Sequence, residues 1–257
     1  MGRKISSLLL EFAKLHRFLM RFYREVVSPP FEIKEIIRQC YEVGWKSFPL
    51  ISLTGFIVGF VFTKQSRPSL EEFGATSWLP SLISIAIVRA LAPLVTALIA
   101  SGKVGSQIGA ELSSMNVTEQ IDAMEVSGTN PFKFLVVSRI LATTIMIPVL
   151  CFYVAGIGLV GGYLSIISKD DLSLLSFFTQ VFEAIQMVDI GAMVLRAVVF
   201  GFTIGFASCY IGYYSSKGTE GVGKAANSAV VASMFVVFIE ELLIVQFLGF
   251  VTPLITG

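Results

Sequence analysis

Four ionisable side chains, Arg89, Arg196, Glu240 and Glu241, lie inside stretches that are otherwise almost wholly apolar. A charge at mid-membrane costs about 2.5–3.5 kcal/mol on insertion scales, so such residues face other protein or a wet cavity. Arg89 falls near the middle of its stretch. Arg196 lies about six residues and Glu241 about nine from the outer ends of theirs, so at ~1.5 Å per residue their depths differ by about 5 Å. Their side chains meet if the two helices are neighbours. Glu240 and Glu241 cannot share one helix face, so at least one needs a partner or water. Three chemistries fit: a structural ion pair between spans, a polar lining or gate in a membrane path, or acids that carry protons.

Other reactive residues carry less. The single histidine, His16, stands in a basic amphipathic stretch, which argues against histidine-dependent triads and multi-histidine metal centres. Cys40, Cys151 and Cys209 are far apart, odd in number and form no CxxC, so neither a disulfide framework nor a zinc site is implied. Gly156-Ile157-Gly158-Leu159-Val160-Gly161 fits GxGxxG, but inside an apolar helix such glycines serve close helix packing. Gly218 to Lys224 matches GxxxxGK, yet Ala225 stands where Ser or Thr must reach magnesium. This stretch reads as a flexible inner loop. The chain itself is expected to bind no cofactor, and any ATP chemistry to lie on another chain.

The elements that position these residues follow from composition. Hydrophobic residues make up 54% of the chain and charged residues 14%, against roughly a quarter charged in a soluble domain. Net charge is +1, which gives no global field for nucleic acid. Five apolar stretches, about 46–63, 79–101, 134–167, 190–214 and 228–250, are candidates for spans of about 20 residues. The first is short and interrupted by Pro49, Gly55 and Gly59; the third is long enough to tilt or kink and holds Pro148. The expected fold is therefore an all-α membrane protein with about five transmembrane helices, residues 1–45 forming interfacial helices and 46–257 the transmembrane domain.

Within residues 3–27, Ile5, Leu8, Leu9, Phe12, Leu15, Leu19, Phe22, Tyr23 and Val26 recur at helical spacing, with Arg and Lys largely between them. A basic amphipathic helix of this kind lies in the headgroup region. Its apolar residues are periodic rather than continuous, so no cleavable signal peptide is expected. Ser28-Pro29-Pro30 ends it, and a second helix with Ile33, Ile36, Ile37, Cys40 and Gly44 leads to Trp45, an interface anchor. With the N-terminus inside, thirteen of the 19 Lys and Arg fall in inner segments and three in outer ones. That asymmetry places the N-terminus in the cytoplasm and the C-terminus outside. Arg139, near the inner end of the third span, is expected to snorkel to phosphates. Leu172, Leu175, Phe178, Phe182 and Ile185 predict a short amphipathic helix on the outer surface.

The inner segment 102–133 is the longest inner connection between spans. Asn116 followed by Glu119 predicts a helix start related to a capping box, and Gly128 and Pro131 an end. Val117, Ile121 and Met124 share one face, with Glu119, Asp122 and Glu125 elsewhere. An anionic leaflet repels such an acidic helix. It is either a solvated surface helix or a docking helix for a cytoplasmic protein that drives the membrane part.

This segment closely resembles the signature region of MlaE/YrbE-type permeases, the membrane subunits of ABC lipid transporters that work with MCE-domain proteins. The family pattern is approximately R-E-L-G-P, then A-G-R-x-G-x-x-x-A-A-E-L, then M-x-V-T-E-Q-I-D-A-L-E-V-x-G-x-D-P. Here stand Arg89-Ala90-Leu91-Ala92-Pro93, Ser101-Gly102-Lys103-Val104-Gly105, Gly109-Ala110-Glu111-Leu112, and a near-complete match from Met115 to Gly128 closed by Asn130-Pro131. Glu220 to Ala225 and Ala229 to Ser233 look like the family's start of the last span. The resemblance covers roughly residues 40–250. Ala90 replaces an acid, Lys103 an arginine and Asn130 an aspartate. The change at Ala90 leaves open what neutralises Arg89.

The resemblance implies that the helix around Glu119, Gln120, Asp122 and Glu125 couples to an ATPase subunit, with Glu111 where the second span meets it. It implies that Arg196 and Glu241 lie near a lipid cavity between two permease copies. The intramembrane charges Arg89, Arg196, Glu240 and Glu241 then read as structural pairs or as a lining or gate for a lipid headgroup. The expected protein is a homodimeric, multi-pass permease of a bacterial inner membrane that moves phospholipid or a related lipid. ATP and magnesium would sit on a partner ATPase below, an MCE-domain protein above, and the system would serve outer-membrane lipid asymmetry. The competing reading is an ion-coupled secondary transporter that uses the membrane acids. An intramembrane lipid-modifying enzyme and a passive scaffold fit the residues less well.

Overall fold

The computed structural model describes residues 2–167, 172–216 and 218–256, with backbone alone for 2–8 and 251–256. All regular structure among the described residues is helical. Helix α1 (Gly2–Val27) and α2 (Ile33–Gly44) precede α3 (Phe48–Glu72). Next come α4 (Leu79–Ala86), α5 (Ala92–Ala100) and α6 (Ser106–Val117), joined by π-helical turns at Ile87–Leu91 and Ser101–Gly105. A short α7 (Gln120–Val126) leads to α8 (Ser138–Ile167); α9 (Leu174–Ala184), α10 (Met187–Tyr213) and α11 (Thr219–Thr256) complete the chain. Five runs are long and apolar enough to cross a membrane: Ile33–Glu72, Thr76–Val117, Phe132–Ile167, Met187–Tyr213 and Thr219–Phe250.

The spans are longer than hydropathy suggests. The second does not end at 101 but continues as helix to Val117, so the inner connection is short. The expected capping box at Asn116 does not form: Asn116 lies inside α6, and its side-chain amide donates to the Ser215 carbonyl at 3.1 Å. Nor is 218–227 a loop. Helix α11 begins at Thr219, and Lys224 pairs with Glu220 one turn earlier at 2.7 Å.

Glycines let α3 and α8 touch backbone to backbone. A Cβ at Gly59 would overlap the Gly158 carbonyl, and one at Gly161 would overlap the Phe56 carbonyl. Two members of the GxGxxG pattern, Gly158 and Gly161, are thus a helix-packing surface. Pro49 starts α3 rather than breaking it, since the first turn needs no internal N–H donor.

Helix α1 rests on the bundle through Phe18 and Phe22, both nearly inaccessible. Phe18 sits edge-on to Phe132, Phe206, Tyr210, Tyr213 and Tyr214, with ring centroids 5.0–6.4 Å away. The apolar face expected from sequence is only partly the one used: Leu9, Phe12 and Tyr23 stay exposed, and Phe18 is the central contact. Helix α2 turns Glu35, Gln39 and Val43 toward the protein and leaves Ile33 and Ile37 exposed, and Trp45 just after it is exposed too. Burial of Glu35 is tolerated because Gln39 donates to it at 2.7 Å and Arg38 pairs with it at 3.0 Å. The expected outer helix exists as α9, rotated from its predicted phase: Phe177 and Val181 are buried while Leu175 and Phe182 are exposed. Residues 168–171 of that expected outer segment lie outside the described residues.

Candidate functional site

Helix α10 carries a polar stripe at seven-residue spacing, Asp189, Arg196 and Thr203, which puts all three on one face. Each is matched by a neighbour. Arg89 Nε donates to Asp189 Oδ1 at 2.5 Å. Arg196 pairs with Glu241 Oε1 at 3.2 Å. The Thr203 hydroxyl donates to Glu240 Oε1 at 2.5 Å. Three helical runs therefore converge on one line of charge inside an apolar bundle.

Local sequence explains the geometry. Pro93 has no N–H to give the Arg89 carbonyl four residues back, and the helix loosens into a π turn at Ile87–Leu91. The Arg196 guanidinium donates to that Arg89 carbonyl. Asp189 is the third residue of α10 and also accepts from the Gln186 N–H at 3.0 Å, completing a capping box. One carboxylate thus caps a helix and neutralises an arginine on another. Asp189 and Arg196 are almost fully buried, Glu241 is 16% exposed at its side chain, and Arg89 is 49% exposed. Arg196 Nε, Glu240 Oε2 and Glu241 Oε2 are buried without a hydrogen-bond partner.

All four sequence-predicted membrane charges thus meet at this cluster, with Glu240 held by Thr203 beside it. Sequence reasoning missed Asp189, which supplies the neutralising charge that Ala90 cannot. The available signal was a polar residue followed three positions later by an acid, at the head of an apolar run.

A second assembly lies at the opposite end of the bundle. Glu119 adopts a left-handed conformation (φ 56°) and joins α6 to α7. Ile121 is buried and Met124 half-buried, while Glu119, Gln120, Asp122 and Glu125 are all exposed. Val126 is 90% exposed beside them. Asn130 ties this end to α1: its amide donates to Glu25 at 3.0 Å, and its oxygen accepts from the Lys133 N–H at 3.3 Å.

Glu111 stands apart from the exposed acids. It pairs with Arg139 at 3.2 Å and accepts from Gln107 at 2.8 Å. Gln107 also donates to Glu42 at 3.5 Å, and Glu42 pairs with Lys46 at 2.6 Å. Arg139 therefore does not snorkel: its side chain is 4% exposed and directed to Glu111. The chain of groups ties α2, α6 and α8 together. No cluster of metal-ligating residues occurs among the described residues.

Residues 36–247 match the permease MlaE family. A probable ABC transporter permease protein of Rickettsia prowazekii is 38% identical over 221 residues, covering 86% of this chain and 85% of the relative. One from Synechocystis sp. is 33% identical, covering 81% and 79%. Protein TRIGALACTOSYLDIACYLGLYCEROL 1, chloroplastic, of Arabidopsis thaliana is 28% identical, covering 83% and 61%.

Proposed function

The chain belongs to the MlaE permease family and is the membrane permease subunit of an ABC transporter, and from that premise we propose that it moves phospholipid or a related lipid. The observation that carries this reading is the charge line along α10. Its buried unpartnered atoms, Arg196 Nε, Glu240 Oε2 and Glu241 Oε2, retain capacity for a polar headgroup, while the surrounding helices are apolar enough for acyl chains. A sugar or ion path would not need so apolar a surround. The name of the Arabidopsis relative, which refers to a galactosyl diacylglycerol, points the same way.

The path lies between two copies of the chain, and the lipid passes between an inner membrane and an MCE-domain protein on its far side. The α1 and α7 end faces the cytoplasm. Residues 1–45 ride in the headgroup layer and 46–257 form the transmembrane domain. A separate ATPase, which supplies ATP and magnesium chemistry, docks on Glu119, Gln120, Asp122 and Glu125. Glu111 serves that coupling indirectly, by bracing α6 against α8 through Arg139.

The test is lipid transfer in proteoliposomes that contain the chain with its co-purified ATPase and MCE partner. Arg196→Ala and Glu241→Ala are each expected to lower ATP-dependent transfer. Wild-type transfer by either variant at equal protein level would overturn the role of the cluster. Transfer by the chain alone without ATP would favour ion-coupled transport through the membrane acids.

A further inference from the structure

A basic cavity of about 860 Å³ opens between α1 and the adjoining ends of α10 and α11. Lys14, Arg17 and Arg21 line it from α1 and Lys224 from α11, against one lining carboxylate, Glu11. Positions 14, 17 and 21 share one helix face, so their charges converge rather than scatter. The walls are preformed. Phe18 is buried at the base, and the Arg21 guanidinium lies 4.3 Å above the centre of the Phe132 ring. Tyr210 and Tyr214, one turn apart, line the α10 side.

Charge and surroundings identify the occupant. Four cations against Glu11 and Glu220, the carboxylate paired with Lys224 at 2.7 Å, leave an excess of two positive charges, which selects an anion. The neighbouring surface is apolar: Leu10, one turn before Lys14 on α1, is 60% exposed, and Val231 and Phe235, on the Lys224 and Ser228 face of α11, are 59% and 66% exposed. A soluble anion has no use for that surface, whereas a lipid fills the cavity and covers the apolar residues with one molecule. From Arg196 to Tyr210 is fourteen residues along α10, about 20 Å. The cavity is therefore separate from the charge line.

We propose that this cavity holds the headgroup of an anionic phospholipid resident in the leaflet on which α1 lies. Arg17, Arg21 and Lys224 surround its phosphate, and its chains run beside Val231 and Phe235. The proposal rests on the reading of α1 as a helix of the headgroup layer, but not on transport. The lipid is a fixed ligand that fastens α1 to the ends of α10 and α11.

The full chain in mild detergent is titrated with dioctanoyl phosphatidylglycerol or dioctanoyl phosphatidylcholine, and bound lipid is counted by native mass spectrometry. Phosphatidylglycerol should bind in preference. Arg17→Gln combined with Lys224→Gln should weaken it about 25-fold, about fivefold per charge removed. Glu11→Gln should strengthen it about fivefold, and this exposed change keeps the test decisive if the double variant fails to fold. Equal binding of both lipids, or no response to these changes, overturns the proposal. Displacement by inorganic phosphate at equal concentration overturns it in favour of a free anion. Loss of the bound lipid in Arg196→Ala also overturns it, by placing that lipid at the charge line. If Arg196→Ala transfers lipid normally while phosphatidylglycerol still depends on Arg17, the transport reading fails and this one stands.

Discussion

Two groups of charged residues stand at opposite ends of α10's bundle, and they are built in opposite ways. Along α10, Asp189 and Arg196 are buried, and each meets a counter-charge on a different helix. On α7, Asp122 and Glu125 are exposed, on a seven-residue helix reached through a left-handed residue. Removing two charges from water requires compensating partners in defined positions, so the first group constrains how three helical runs sit together. Exposed acids impose no such demand. The first group therefore belongs to the architecture as much as to the function, while the second is free to be shaped by what it contacts.

That contrast can be broken by substitution. The largest effect on stability should come from Arg196→Ala, which strands Glu241 in the bundle. Thermal unfolding in detergent should show a loss of about 3–5 kcal/mol, and the pairing argument fails if Tm is unchanged. Replacing both partners, Arg196→Leu with Glu241→Leu, should recover most of that stability and none of the lipid transfer. Asp189→Ala removes a cap and a partner of a half-exposed arginine, for about 1–2 kcal/mol in the same assay. Glu119→Gly should raise stability by about 1 kcal/mol, because glycine adopts φ 56° without strain. The smallest effect should be that of Asp122→Lys with Glu125→Lys, within about 0.5 kcal/mol on unfolding. The same variant should lose the ATPase on purification. Retention of the ATPase would mean that α7 is only a solvated surface.

The five spans were readable because about 20 apolar residues in a row have few other uses. Their ends were not. Lys103, Ser106 and Gln107 look like a connection, yet they continue the helix to Val117, and Gln107 finds its partner laterally in Glu111. Hydropathy registers polarity but not where a polar group finds its hydrogen bond. Periodicity likewise placed α1 and α9 but misjudged their contact faces, since both helices offer apolar residues around much of their circumference. Depth made the meeting of Arg196 and Glu241 possible on the condition that their helices are neighbours, which α10 and α11 are. The partner of Arg89 was not legible, because Asp189 lies one hundred residues away at the edge of an expected loop. The outward snorkel expected of Arg139 ignored a carboxylate, Glu111, on a neighbouring helix.

Asp189 serves two masters, and this limits how the bundle can move. If Arg89 is drawn away, the carboxylate must either follow it and uncap α10 or stay and leave the arginine alone. Both are unfavourable, so the second span and the head of α10 should travel as a single body. Helix α11 is the least enclosed of the five spans and is joined to that body by Arg196–Glu241 and Thr203–Glu240. Any motion that parts α11 from that body must break both contacts together, so the two act as one latch on the last span.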